Sequence, residues 1–240
     1  MQQAITIVLP CYDPPSGWAN RLIERNLELI GSMPSERFRF VIVNDGTPSP
    51  IERDTVKRIE AALIDLTWID HAVNRGKGAA LRTGIDAVDS DLYMFTDIDM
   101  PFKLESMRSV IAALLNGSNI VLGHRNEAYY EQVPFGRRLL SRSFRWMLKV
   151  LLRAPVSDTQ CGLKGFDRRG REVFLQTKID RYLFDLEFIL QATRNKKLKI
   201  DVVPVQLNEE AEFKPMRSSA LLKELRNLIV VLVSDRRKRG

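Results

Sequence analysis

Two carboxylates, Asp97 and Asp99, close the run Asp91-Leu-Tyr-Met-Phe-Thr-Asp97-Ile-Asp99-Met-Pro101. A strand alternates its side chains, so the i, i+2 spacing predicts both carboxylates on one face at the strand's end. Hard oxygen donors placed in this way suit Mg2+ or Mn2+ and the phosphates such ions carry. The same pair also serves in turns and helix caps, so the spacing alone leaves both readings standing. Other polar clusters end apolar runs similarly. Asn44-Asp45-Gly46-Thr47 offers a carboxylate for a nucleobase N–H beside a glycine that admits close approach, or else is an ordinary strand-end turn. Asn74-Arg75-Gly76-Lys77-Gly78 joins cations and glycines to a helix start, which makes either an anion cradle or a solvated basic turn. Gly123-His124-Arg125 adds a guanidinium suited to phosphate. His71 and His124 read as structural residues, since neither has a triad or metal-ligand pattern around it. Asp45, Lys77, Asp97 and Arg125 thus follow successive strands, and their convergence on one sheet edge points to a metal–diphosphate site.

The elements that must position these residues alternate. Apolar runs at 5–9, 38–43, 68–72, 92–96 and 119–122 read as strands, and residues 18–30, 51–63, 78–88 and 104–115 have helical spacing. This rhythm predicts an α/β domain with a mostly parallel central sheet and helices on both faces. In the second half, 135–153, 168–176, 184–194 and 218–234 read as helices, 158–162 as a polar turn and 200–205 as a strand. With 240 residues, 45% hydrophobic and 28% charged, the chain suits one large domain. We place it at 1–215, with a nucleotide-binding half at 1–125, an acceptor half at 126–215 and an amphipathic basic tail at 216–240.

A net charge of +7 favours an anionic partner, whether nucleotide, phospholipid or nucleic acid. The 2 cysteines exclude a disulfide framework or a Cys-rich zinc site and suit a reducing compartment. The N-terminus has no signal-peptide pattern, and the apolar run 228–233 is far shorter than the ~20 residues that span a bilayer. Segment 135–153 interleaves Arg137, Arg138, Arg142, Arg145, Lys149 and Arg153 with Leu140, Phe144, Trp146, Met147, Leu148 and Leu151. It reads as a helix lying in a membrane interface, or as a core-facing stripe with a solvated basic face. The 218–234 segment carries the same two readings.

The order of motifs Val8-Leu-Pro10-Cys-Tyr12-Asp13, Val43-Asn-Asp45-Gly46-Thr47, Asn74-Arg-Gly-Lys77-Gly78, Asp97-Ile98-Asp99 and Gly123-His-Arg125 resembles family 2 glycosyltransferases of the GT-A fold. Ser157-Asp158-Thr-Gln-Cys-Gly-Leu-Lys-Gly-Phe166 and Arg181-Tyr-Leu-Phe-Asp185-Leu-Glu187 resemble the branch of dolichyl-phosphate glucose and mannose synthases and polyprenyl-phosphate hexosyltransferases. The resemblance covers nearly the whole chain. It implies that Asp45 contacts the nucleobase, with Pro10, Tyr12, Asp13 and Gly46 lining that pocket and Lys77 and Ile98 completing the nucleotide-sugar site. It implies that Asp97 and Asp99 hold Mg2+ or Mn2+ on the diphosphate, and that Arg125, Arg137 and Ser141 meet the acceptor phosphate. Asp158 matches the acidic position facing the sugar, with Arg125 and Asp99 beside it in the catalytic set.

The implied reaction moves a hexose from a nucleotide sugar, UDP-glucose ahead of GDP-mannose, to a polyprenyl or dolichyl phosphate. The implied place is the cytoplasmic face of the membrane, in peripheral contact with it. Departures from the family pattern are Asp13-Pro14-Pro15 after Tyr12, Pro101 at a third metal-ligand position, an acidic loop at 208–214 and no C-terminal membrane helices. A saccharide acceptor is the alternative, with Asp158 then the candidate base. A nucleic-acid-binding protein is the distant one, and no nucleic-acid motif supports it.

Overall fold

A computed structural model describes residues 3–125, 161–181 and 183–208. Strand β1 (Ala4–Cys11) is followed by α1 (Trp18–Ser32), β2 (Arg37–Asn44), α2 (Arg53–Ala62), β3 (Leu66–Asp70), α3 (Lys77–Asp86), β4 (Leu92–Phe95), α4 (Leu104–Leu115) and β5 (Ile120–Arg125). The second half adds β6 (Lys164–Asp167), α5 (Arg168–Leu175), α6 (Phe184–Arg194) and β7 (Ile200–Val205). The expected helices 135–153 and 218–234 lie outside the described residues, as do Asp158, Arg137 and Ser141.

One sheet of 7 strands runs β3-β2-β1-β4-β6-β5-β7. The pairs β1–β2, β1–β4, β2–β3 and β5–β7 are parallel, and β6 runs antiparallel to both β4 and β5. Strands β1, β2 and β4 are rich in apolar residues because both of their faces are covered. Ile5, Ile7 and Leu9 face a core shared with α1, α2 and α4, while Val8, Val41 and Val43 face one shared with α3, α5 and α6. The second core is held by aromatic pairs, among them Phe166 stacked on Phe174 at 5.3 Å, Phe95 tilted on Phe184 at 6.0 Å and Phe174 edge-on to Phe188 at 5.1 Å. Such pairs contribute about 0.5–1.5 kcal/mol each beyond their buried area. They fasten α5 and α6 beneath β4 and β6. No described helix is long and apolar enough to cross a membrane.

The mostly parallel sheet with helices on both faces is the expected architecture. Strand β6 was not expected. Its sequence, Lys-Gly-Phe-Asp, carries neither an apolar run nor alternation. It separates β4 from β5, so the carboxyl ends of those strands stand two strand spacings apart, about 10 Å.

Candidate functional site

The strand order reverses beside β1, with β2 and β3 on one side and β4 on the other. In α/β sheets ligands bind outside the carboxyl ends of strands at such a reversal. Here that edge carries Tyr12 and Asp13 after β1, Asp45 after β2, Asp97 and Asp99 after β4, Arg125 at the end of β5, and Cys161–Leu163 leading into β6.

Asp97 and Asp99 do not sit on a strand. Strand β4 ends at Phe95, and a turn closed by Met100 N–H donating to the Asp97 carbonyl (3.0 Å) carries both residues, with Met100 at φ 48°. The turn, not strand alternation, brings the two carboxylates together. Burial, and then the charge of Asp97, push the Asp99 carboxyl above its usual range. Lys77 Nζ lies 2.5 Å from Asp97 Oδ1, so one of the two carboxylates already holds a cation. Lys77, Arg21 and a backbone N–H act in the opposite sense on Asp99. Two crowded carboxylates that draw in an ammonium are a donor set suited to a hard divalent cation. Among the described residues, no cluster of three or more His, Cys, Asp or Glu side chains could hold a metal by itself. Ile98, between the carboxylates, is buried with Met100 and Phe102 and plugs the turn into the first core.

Gly162 packs directly on this site. A Cβ there would stand 2.8 Å from Asp97 Oδ2 and 3.8 Å from Lys77 Nζ. Behind it, Lys164 is wholly buried and donates to Asp185 Oδ1 (2.8 Å) and to the Cys161 carbonyl (2.5 Å), with the Phe95 ring 5.7 Å away. Burial pushes Asp185 up, and Lys164 and then Lys77 oppose that shift. The pair therefore fixes the 161–163 loop against Asp97 from below. Sequence reasoning assigned Lys164 and Asp185 no role. Their one signal is an unpaired-looking lysine in a run ending Phe166.

Asp45 is 2% exposed. Its Oδ1 accepts from His71 Nδ1 (2.7 Å) and Arg75 N–H (2.9 Å), and its Oδ2 accepts from Asn74 Nδ2 (3.0 Å) and Gly76 N–H (2.7 Å). A carboxylate has about four acceptor sites, and four donors occupy them. A nucleobase N–H thus finds these sites already taken within the described residues. Gly46 sits at φ 66°, where an added Cβ would meet the Val73 carbonyl carbon at 2.4 Å, so its small size serves contact with the 72–76 loop.

The start of α3 is not the open anion cradle that its sequence suggested. Gly78 N–H (2.7 Å) and Ala79 N–H (3.2 Å) both donate to the Asp180 carbonyl, and Gly76 N–H goes to Asp45. What this turn presents to the edge is the Lys77 ammonium. On the other side, Pro10 pairs in register with Val43, Tyr12 is 47% exposed, and Asp13 N–H donates to Thr47 Oγ1 (3.3 Å). A cleft of about 230 Å³ opens beside Asp13, Trp18, Thr47 and Ile51. Its charged lining residues are Asp13 and Glu52, which do not suit a diphosphate. Arg125 pairs in register with Val205.

The family described as "Glycosyl transferase family 2" matches residues 6–174. Among curated proteins the chain is similar to a dolichyl-phosphate beta-glucosyltransferase of Trichomonas vaginalis, 26% identical over 242 residues, which cover 97% of this chain and 74% of the relative. A dolichyl-phosphate beta-glucosyltransferase of Drosophila melanogaster is 30% identical over 221 residues, covering 85% of this chain and 67% of the relative. Among solved structures, glucosyl-3-phosphoglycerate synthase from Mycobacterium tuberculosis, in complex with Mn2+, UDP and phosphoglyceric acid, superposes with a TM-score of 0.64 at 18% identity over 97% of this chain and 78% of that one. Mannosyl-3-phosphoglycerate synthase from Rubrobacter xylanophilus gives 0.69 at 14% identity over 99% and 75%. These neighbours have the GT-A fold, and the sheet order and paired faces described above are that fold in this chain.

Proposed function

We propose that this chain, which belongs to glycosyltransferase family 2, transfers glucose from UDP-glucose to a polyprenyl or dolichyl phosphate, with a divalent metal at Asp97 and Asp99. The observation that carries the reading is the crowded Asp97–Asp99 turn with Lys77 on Asp97, in a chain similar along 97% of its length to a dolichyl-phosphate beta-glucosyltransferase. Asp97 and Asp99 would hold Mg2+ or Mn2+, which when bound would supply a Lewis acid for the charge on the diphosphate leaving group. Lys77, already within the same charge cluster, adds a second cation to those oxygens. Asp45 and the loop it holds form the base side of the donor pocket, with Pro10, Tyr12, Asp13 and Gly46 around it.

The nucleophile is an oxygen of the acceptor phosphate. It attacks the anomeric carbon as the bond from that carbon to the diphosphate breaks, and the electron pair leaves with UDP. A phosphate is already ionised near neutral pH, so the step needs no strong base, and Asp158 orients the sugar or acceptor. Arg125, Arg137 and Ser141 take the acceptor phosphate. The basic apolar segment around them meets the membrane surface, which supports a peripheral position at the cytoplasmic face.

The test is a transfer assay in detergent with UDP-glucose or GDP-mannose, polyprenyl phosphate, and Mn2+ or EDTA, read as lipid-linked hexose by mass spectrometry. Glucosyl lipid that disappears in EDTA is the expected result. Arg137→Ala should cut acceptor-dependent rate roughly ten- to a hundred-fold, as for a lost charge-assisted contact, with Arg138→Ala costing less. Transfer to water-soluble saccharides with none to lipid phosphate would move the protein to the saccharide-acceptor reading.

A further inference from the structure

His71 takes no part in the transfer above, yet it belongs to a buried pair in which the Asp45 carboxylate accepts from four donors. The two side chains are 6% and 3% exposed. Both Asp45 oxygens accept from N–H donors, so the proton between Asp45 and His71 sits on Nδ1, which donates. The other ring nitrogen, Nε2, is 3.1 Å from Thr83 Oγ1 on α3, whose hydroxyl can donate to it in the neutral ring. His71 N–H donates to the Asn44 carbonyl (2.8 Å). One residue thus ties the end of β2, the end of β3 and helix α3.

The consequence lies downstream in the chain. Asp45 holds the N–H groups of Arg75 and Gly76, and Lys77 follows immediately with its ammonium 2.5 Å from Asp97. Without a fixed Asp45 carboxylate, the 72–76 loop loses both of these anchors and the side-chain bond from Asn74. We infer that His71 is a positioning residue for the donor site: it orients the Asp45 carboxylate, which sets the 72–76 loop and aims Lys77 at the diphosphate position. Its binding readout rests on the donor reading above. Its structural readout does not.

Two substitutions separate this role from simple packing. In His71→Asn the amide nitrogen overlays Nδ1, so the bond to Asp45 survives while the link to Thr83 is lost. In His71→Gln the amide reaches the Nε2 position, keeping Thr83 and giving up Asp45. Hydrogen exchange of the 72–77 amides in the nucleotide-free protein should speed up by roughly tenfold in His71→Gln and stay within about twofold of wild type in His71→Asn. UDP affinity by calorimetry should fall roughly tenfold in His71→Gln alone, appearing in turnover as a raised donor KM with kcat retained. Equal behaviour of the two variants, whether both intact or both impaired, overturns the inference. If the wild-type chain binds no nucleoside diphosphate, the donor reading fails instead, and loop exchange alone decides the role of His71.

Discussion

Replacing Lys77 by methionine should change metal and nucleotide binding in opposite directions. Methionine keeps the length of the stem and removes the ammonium that sits 2.5 Å from Asp97 Oδ1. At that distance the Coulomb attraction is about 7 kcal/mol for an effective dielectric of ~20. However, the side chains are 21% and 42% exposed, so solvent screens the pair. Exposed pairs of this kind measure about 0.2–1 kcal/mol, and the upper half of that range applies here because Lys77 is mostly covered. In the nucleotide-free protein that energy opposes a metal ion competing for the same oxygens. Its removal should raise Mn2+ affinity roughly two- to fivefold. With nucleotide the sign reverses, because the diphosphate loses a charge-assisted contact worth about 1.5–3 kcal/mol, or roughly ten- to a hundred-fold in UDP affinity. Calorimetric titration of Mn2+ without UDP, and of UDP at saturating Mn2+, reads both. Lys77→Arg, which keeps the charge, should leave Mn2+ affinity near that of wild type. Weaker Mn2+ binding by Lys77→Met without nucleotide, or unchanged UDP affinity, would refute the assignment of Lys77 as the cation shared between Asp97 and the donor.

Asp99→Asn should abolish metal-dependent turnover while making the nucleotide-free fold more stable at neutral pH, by about the 0.5–2 kcal/mol common for a single stabilising substitution. The sign follows from the raised Asp99 carboxyl: its contribution is complete where it is protonated and is lost as pH rises through its raised value, a loss the neutral amide does not share. Thermal melts of both proteins from pH 4 to 8 should converge on the acid side, and a mutant less stable than wild type at pH 7 would contradict the argument. Lys164→Met should destabilise the fold by about 3–5 kcal/mol, since it leaves Asp185 buried without its cation, whereas Lys164→Met with Asp185→Leu should recover most of the loss. Urea unfolding measures both, and a double variant as unstable as the single one would deny that the pair acts as a unit.

Much of the frame was legible because local and tertiary demands coincide in it. Strands β1 and β2 are covered on both faces, so each carries a long apolar stretch, 7–9 in β1 and 40–43 in β2. Strand β6 was illegible for the opposite reason. Nothing within Lys164-Gly165-Phe166-Asp167 favours a strand, and burying Lys164 is tolerable only because Asp185 and the Cys161 carbonyl accept hydrogen bonds from its ammonium. Gly165 is demanded by contact with Leu114 and Val110 on α4, a helix some fifty residues earlier in the chain. Such a strand is specified by its neighbours and cannot be read from its own pattern.

In the site, residue types were legible and partners were not. A sequence shows donors and acceptors but not whether the fold has already matched them. Asn74-Arg75-Gly76-Lys77-Gly78 looked open to an anion, yet Asp45 and the Asp180 carbonyl take its N–H groups. His71 read as structural without a named partner, and its partner is the acidic residue that anchors this loop. The edge therefore divides by burial. Asp97, Asp99 and Lys77 remain accessible enough to exchange partners with a ligand, while Asp45, His71, Lys164 and Asp185 have surrendered theirs to the fold. The second group determines where the first group stands. Removing a member of the first should therefore alter chemistry with little effect on folding, and removing a member of the second should alter the loop or the core before it alters chemistry.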